Sequence, residues 1–245
     1  MVDIILSFAA LIPTLAVIAF ADRLANLSPA GQLRLKSFAG GLAAAYVFLL
    51  VLPKLADQQV LLARAASDWP LVKYLYHHAY LVAFAGFVTY YLVNVLAQAT
   101  DVSVPRSTRG VVLIAGLGAY MALIGDLIAT QEPRPLPLAL FSTALTFHLL
   151  GLNLAVYGRL SRSWKWLRPL LSMFLFLGWL VGVGSAIPGA IHALVSAWLA
   201  GGIIVLVVLI ELPKERRPWA FCAGALTFAA LLKLNLYLTG GEGSV

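Results

Sequence analysis

Apolar residues run in long blocks along this chain, and polar residues gather in short clusters between them. Eight blocks can each cross a bilayer, at about 4–21, 37–53, 78–98, 109–130, 136–158, 167–186, 189–212 and 219–238, because a helical span needs about 20 mostly apolar residues. Lipid offers irregular backbone no hydrogen-bond partner, so the blocks predict α-helices. A β-barrel would alternate apolar and polar positions, and the run Gly202-Ile203-Ile204-Val205-Leu206-Val207-Val208-Leu209 does not. The expected fold is all-α: one polytopic membrane domain over 1–245 with eight transmembrane helices.

Composition agrees. With 62% hydrophobic residues, 11% charged residues and a mean hydropathy of +0.93, a soluble domain is excluded, since its outside must face water. The single cysteine, Cys222, excludes an internal disulfide or thiolate metal cluster. Met1-Val2-Asp3 carries no basic region or cleavage site, so the first helix is expected to stay rather than leave as a signal peptide.

The net charge of +7 is a topology signal. Loops after spans one, three, five and seven hold Arg23, Arg34, Lys36, Arg106, Arg109, Arg159, Arg162, Lys165, Arg168, Lys214, Arg216 and Arg217. The other side holds Lys54, Arg64, Lys73 and Arg134. Basic loops stay cytoplasmic, which puts both termini outside. Trp164 and Trp166 suit interfacial anchoring, and Lys233 suits snorkelling to the headgroups. The basic clusters at 159–168 and 214–217 fit membrane lipids, not nucleic acid. The compact loops suggest a bacterial inner (plasma) membrane.

The longest connection, about 54–77, contains Asp57 to Arg64, which reads as a short interfacial helix. Pro105, Pro133, Pro135, Pro137, Pro188 and Pro218 fall between spans, where they break no helix ladder. No phosphate-binding glycine loop and no nucleophile elbow is present, so no enzyme is expected and any driving force is a gradient.

One segment recurs. Span two runs Phe38-Ala39-Gly40-Gly41, an apolar stretch, then Leu52-Pro53-Lys54; span seven runs Leu199-Ala200-Gly201-Gly202, an apolar stretch, then Leu212-Pro213-Lys214. Matched on the double glycines, the two intervals differ by one residue. The spans cross in opposite directions, as in an inverted-repeat transporter. Gly-Gly and Leu-Pro are also common near helix ends, so coincidence stays open. Gly178-x-x-x-Gly182 and Ala197-x-x-x-Gly201 allow close helix approach, either within the bundle or in a homodimer.

This pattern resembles the ZIP (Zrt/Irt-like) family of divalent metal transporters: eight helices, outside termini, and second and seventh helices that end in Leu-Pro-like segments. The resemblance implies a transport pathway between spans two, four, five and seven. Family members carry His-x-x-x-Glu-Gly, or a close variant, on helices four and five. That spacing sets an imidazole and a carboxylate on one helical face, as zinc or iron require. Here the matching segments are Tyr120-Met121-Ala122-Leu123-Ile124-Gly125 and His148-Leu149-Leu150-Gly151-Leu152-Asn153. His148 is the one retained family ligand type. Tyr120 and Ile124 replace the first His and Glu, Leu152 and Asn153 replace the second Glu and Gly, and Leu50 and Lys54 stand at the span-two positions. The resemblance thus implies a degenerate metal site. No cofactor is expected beyond a weakly bound divalent cation.

Asp126 lies well inside span four, and an intramembrane carboxylate is a functional candidate by default. Paired with His148 it would form a proton relay or a weak cation site; alternatively each serves helix packing. Glu211 resembles an acidic family position near the cytoplasmic end of span seven, or pairs there with Lys214 or Arg217. Tyr120 and Asn153 complete the candidate pathway. His192 reads as interfacial, and His77 and His78 project about 100° apart, too far for a chelating pair. Two functions follow from these residues: a gradient-driven transporter or facilitator of a small cation or other solute, or a non-transporting scaffold, lipid-binding or regulatory protein on the same fold. The first needs Asp126, His148, Tyr120 and Asn153 to converge on one cavity; the second permits an apolar, closed centre. The substrate is not named by the sequence.

Overall fold

The computed structural model describes residues 2–25, 27–65, 78–98, 106–157, 166–184, 189–211 and 217–239. In chain order the helices are α1 (Val2–Ala25), α2 (Pro29–Tyr46), a π-helical turn (Val47–Val51), α3 (Leu52–Ala65), α4 (Ala79–Gln98), α5 (Arg106–Ala129), α6 (Pro135–Tyr157), α7 (Leu167–Gly184), α8 (Gly189–Leu206), a second π-helical turn (Val207–Glu211) and α9 (Pro218–Leu238). Among the described residues there is no strand. Eight helical stretches are long and apolar enough to cross a membrane, with Pro29–Ala63 and Gly189–Leu209 each running through a π-turn.

Burial sorts the eight into two shells. In the spans of α2–α3, α5, α6 and α8, 50–61% of residues are buried, against 22–28% in α1, α4, α7 and α9. The inner four are the spans expected to flank a pathway. The outer four present lipid-compatible side chains such as Ile5, Phe84, Val181 and Leu226.

The packing follows a twofold exchange. The most extensive contacts join α5 with α7, α4 with α8, α2 with α9 and α1 with α6. Exchanging α1 with α7, α2–α3 with α8, α4 with α9 and α5 with α6 maps this set onto itself. Five crossings separate α1 from α7, so the two halves run in opposite directions. Glycines fix the register. A Cβ on Gly41 would lie 2.0 Å from the Phe221 carbonyl oxygen, and one on Gly224 would lie 2.0 Å from that of Phe38. In the other half, a Cβ on Gly201 would lie 1.7 Å from the Ala83 oxygen, and one on Gly86 would lie 1.9 Å from that of Trp198. Only glycine permits these reciprocal backbone contacts.

These contacts correct the alignment by double glycine. Gly41 matches Gly201, Val47–Val51 matches Val207–Glu211, and Leu52-Pro53-Lys54 matches Leu212-Pro213-Lys214, all at one constant offset. No insertion is needed. The π-turns have a physical cause at the same offset. Pro53 and Pro213 each lack an amide hydrogen, and a proline ring crowds the carbonyl four residues before it. A wider turn just upstream relieves that crowding. Residues 212–216 themselves lie outside the described residues.

The π-turn also changes the account of 57–64. That segment is not a separate interfacial helix. Span two passes through Pro53 and continues as α3 to Ala65. Leu55 and Leu62 bury against Ala79, Ala83, Ala190, Ala193 and Ala197 of α4 and α8, while Lys54, Asp57 and Gln58 line a cavity beside them.

Both small-residue motifs are used inside the chain. Gly178 packs on Ala122 and Gly182 on Ala129, while Gly201 packs on Ala83. His78 accepts the Val82 N–H at the start of α4, and His77 lies outside the described residues. Trp166 is exposed beside α7, Trp164 lies outside the described residues, and Lys233 is exposed on α9.

Candidate functional site

The sequence candidates separate into a buried pair and a group beside a vestibule. Tyr120 on α5 and His148 on α6 are fully buried, and Tyr120 Oη lies 2.5 Å from His148 Nε2. Tyr120 meets the edge of Tyr90, with ring centroids 5.1 Å apart, and Tyr90 meets Trp198 at 5.0 Å. An aromatic column, hydrogen-bonded at its Tyr120–His148 end, therefore crosses the bundle from α6 through α5 and α4 to α8. It ties the inner helices together where the resemblance implies metal ligands. Among the described residues no three His, Cys, Asp or Glu side chains gather into a metal-binding group.

Asp126 does not partner His148. Its Oδ2 lies 3.6 Å from Nδ1 of His192 on α8. The other ring nitrogen of His192 faces two hydroxyls, Thr130 Oγ1 at 3.2 Å and Ser196 Oγ at 3.4 Å. A protonated imidazole would offer one N–H toward the carboxylate and the other toward the hydroxyls. Asp126 is 7% exposed and also packs against Gly182 of α7. It thereby links three helices. Asn153 turns back on its own helix, donating to the Leu149 carbonyl at 2.6 Å. Glu211 closes the second π-turn, and its side chain lies outside the described residues. Of the candidates, only Tyr120 and His148 are brought together.

A polar vestibule of about 380 Å³ opens at the end of the bundle where α3 begins and α8 starts. Lys54, Asp57, Gln58, His192, Ser196 and Asn235 are among its polar lining. Lys54 donates to Gln131 Oε1 at 2.7 Å, and its ammonium sits 5.6 Å from the centre of the Phe141 ring. Glu132 and Arg134 form an ion pair at the rim.

Beneath Lys54 and Ser196 the axis closes. Leu50, Val51, Leu127, Leu199 and Ile203 surround a residual space of about 20 Å³. That space has room for about one water and no larger solute.

Sequence reasoning missed the vestibule. His192 reads as interfacial because it opens a span, and Lys54 reads as loop because it follows a proline. The signal available was the spacing in 52–65: Leu55, Gln58 and Leu62 recur on one helical face, and Lys54 and Asp57 are set off from it.

The chain matches no model of a known protein family and no curated protein sequence.

Proposed function

We propose that this integral membrane protein is a ZIP-like, gradient-driven transporter or facilitator of a small solute, which enters through the vestibule and is held here in a closed state. The observation that carries this reading is the inverted repeat. Two opposed halves share a glycine register and a pair of π-turned helices, and the vestibule forms between them. In folds of this kind one half rocks against the other, so a seal on one side of the axis opens as the other closes. The basic-loop asymmetry supports an extracytoplasmic vestibule and extracytoplasmic termini, and the compact loops support a bacterial inner membrane. A small cation stays within the reading through Asp126 and His148, although the Lys54 ammonium in the vestibule disfavours it.

A second reading is a non-transporting scaffold, lipid-binding or regulatory protein. It is favoured by the apolar seal and by the Tyr120–His148 lock, which together leave no polar route through the centre of this state.

Flux into proteoliposomes discriminates the two. The assay covers zinc, cadmium, manganese, iron and a panel of small organic solutes, with Asp126→Asn and His148→Ala alongside wild type. The transport reading expects saturable flux of at least one solute above empty liposomes. A cation flux that falls in both variants would make the carrier a metal transporter. Absence of all flux from folded, correctly reconstituted protein sinks transport and leaves the second reading.

A further inference from the structure

The vestibule holds charges of both signs, and two of them form no ion pair among the described residues. Arg134 is paired with Glu132, and His192 faces Asp126. Lys54 and Asp57 remain, three residues apart on α3 and therefore neighbours on its surface. Among the described residues neither has an oppositely charged side-chain atom within 4.0 Å. Lys54 is half-buried and gives one hydrogen to Gln131, which leaves two more to donate.

Two buried amide side chains border the same space. Gln58 and Asn235 are each 6% exposed and both line the vestibule. Gln58 Oε1 and Asn235 Oδ1 have no hydrogen-bond partner among the described residues. Asp57 favours a ligand that brings N–H groups. Lys54 favours a ligand that brings an anion. A simple carboxylate satisfies only the lysine, and a simple amine satisfies only Asp57. The cavity, about 380 Å³, is within the usual range of small-molecule sites. Leu61, Leu138 and Leu232 give it apolar wall.

We propose that the vestibule binds a small zwitterion of the α-amino acid type, with its carboxylate on Lys54 and its ammonium on Asp57, along the wall that Gln58 and Asn235 border. Lys54 sits at the floor, above the seal, and Asp57 lies exposed further out on α3. The ligand would therefore bind carboxylate first. This inference rests on the vestibule being a solute entrance and adds the chemistry of the solute.

The test is equilibrium binding to the purified full chain in nanodiscs. The standard amino acids are screened by thermal shift at millimolar concentration, and hits are titrated calorimetrically against their deaminated and decarboxylated skeletons. For leucine these are 4-methylpentanoate and 3-methylbutylamine. At least one amino acid is expected to bind at least tenfold more tightly than either of its analogues. Lys54→Met and Asp57→Asn should each weaken that binding at least tenfold, with melting temperatures near wild type. Asp57 is exposed, so Asp57→Asn keeps the test intact should Lys54→Met fail to fold. Equal binding of the carboxylate analogue overturns the proposal in favour of an anion site. Binding of no amino acid, or binding unchanged in Asp57→Asn, overturns it outright. Zwitterion binding with no flux in liposomes would remove the transport reading and leave this one; flux of other solutes without zwitterion binding would do the reverse.

Discussion

Replacing Gly41 by alanine should break the α2–α9 contact, and replacing Gly201 should break α4–α8 in the same way. In the first case the new Cβ would sit 2.0 Å from the Phe221 carbonyl oxygen, and in the second 1.7 Å from that of Ala83. Both obstacles are backbone, so no side-chain rotation relieves them. Ordinary contact begins at 3.4 Å, so the helices must part by 1.4 Å at Gly41 (3.4 − 2.0) and 1.7 Å at Gly201 (3.4 − 1.7). A gap of about 0.5–1 Å already forfeits a quarter to a half of the dispersion well at each atom pair along the seam. Overpacking typically costs about 1–3 kcal/mol, and a backbone obstacle sets both variants at the upper end, near 3 kcal/mol. Gly184→Ala is the control. Its Cβ meets nothing within 4 Å, and the change is expected to be neutral or slightly stabilising. Equilibrium unfolding in mixed micelles, followed by circular dichroism, reads all three. The reasoning fails if Gly41→Ala and Gly201→Ala unfold with Gly184→Ala, or if only one of the pair is damaged, because the repeat requires both seams to respond alike.

Three further outcomes are expected. Tyr120→Phe removes the hydroxyl bonded to His148 and should cost about 1–2 kcal/mol in the same unfolding assay; a cost near zero would mean the buried bond contributes nothing. Asp126→Asn removes the charge facing His192, so Asp126→Asn and His192→Gln should be non-additive in a double-mutant cycle, with a coupling of about 1 kcal/mol; full additivity would show that the two residues do not interact. Tags at either terminus should be accessible from the extracytoplasmic side of intact cells, and protection of either tag would reverse the orientation drawn from the basic loops.

The spans were legible because lipid demands long apolar helices, and the positions of Ile203–Leu209 or Leu149–Leu154 leave no other choice. The continuity of α2 into α3 was not legible. Pro53 reads locally as a stop, and only its packing context, with a π-turn upstream and Leu55 and Leu62 buried on α4 and α8, carries the helix through. The repeat was half legible: the double glycines drew the eye, but Gly41 and Gly201 are the equivalents, because the register is set by which glycine touches a neighbouring backbone. Tyr120 and His148 were legible as candidates, and their meeting was not, since it depends on how α5 and α6 are rotated. Asp126 stood open between a pairing with His148 and a packing role, and it faces His192, a residue that the sequence assigns to an interface.

In the transport reading the two halves alternate around the seal. In a Cys222→Ser background the chain has no other thiol. Ala43 and Ile203, equivalent under the repeat and almost fully buried here, are then replaced singly by cysteine. A membrane-impermeant thiol reagent is applied to reconstituted protein from each side separately. Alternation predicts that both cysteines react from the side opposite the vestibule, at rates that change when a bound solute shifts the equilibrium. Two cysteines inert from either side, with and without solute, would describe a rigid, closed bundle and end the transport reading.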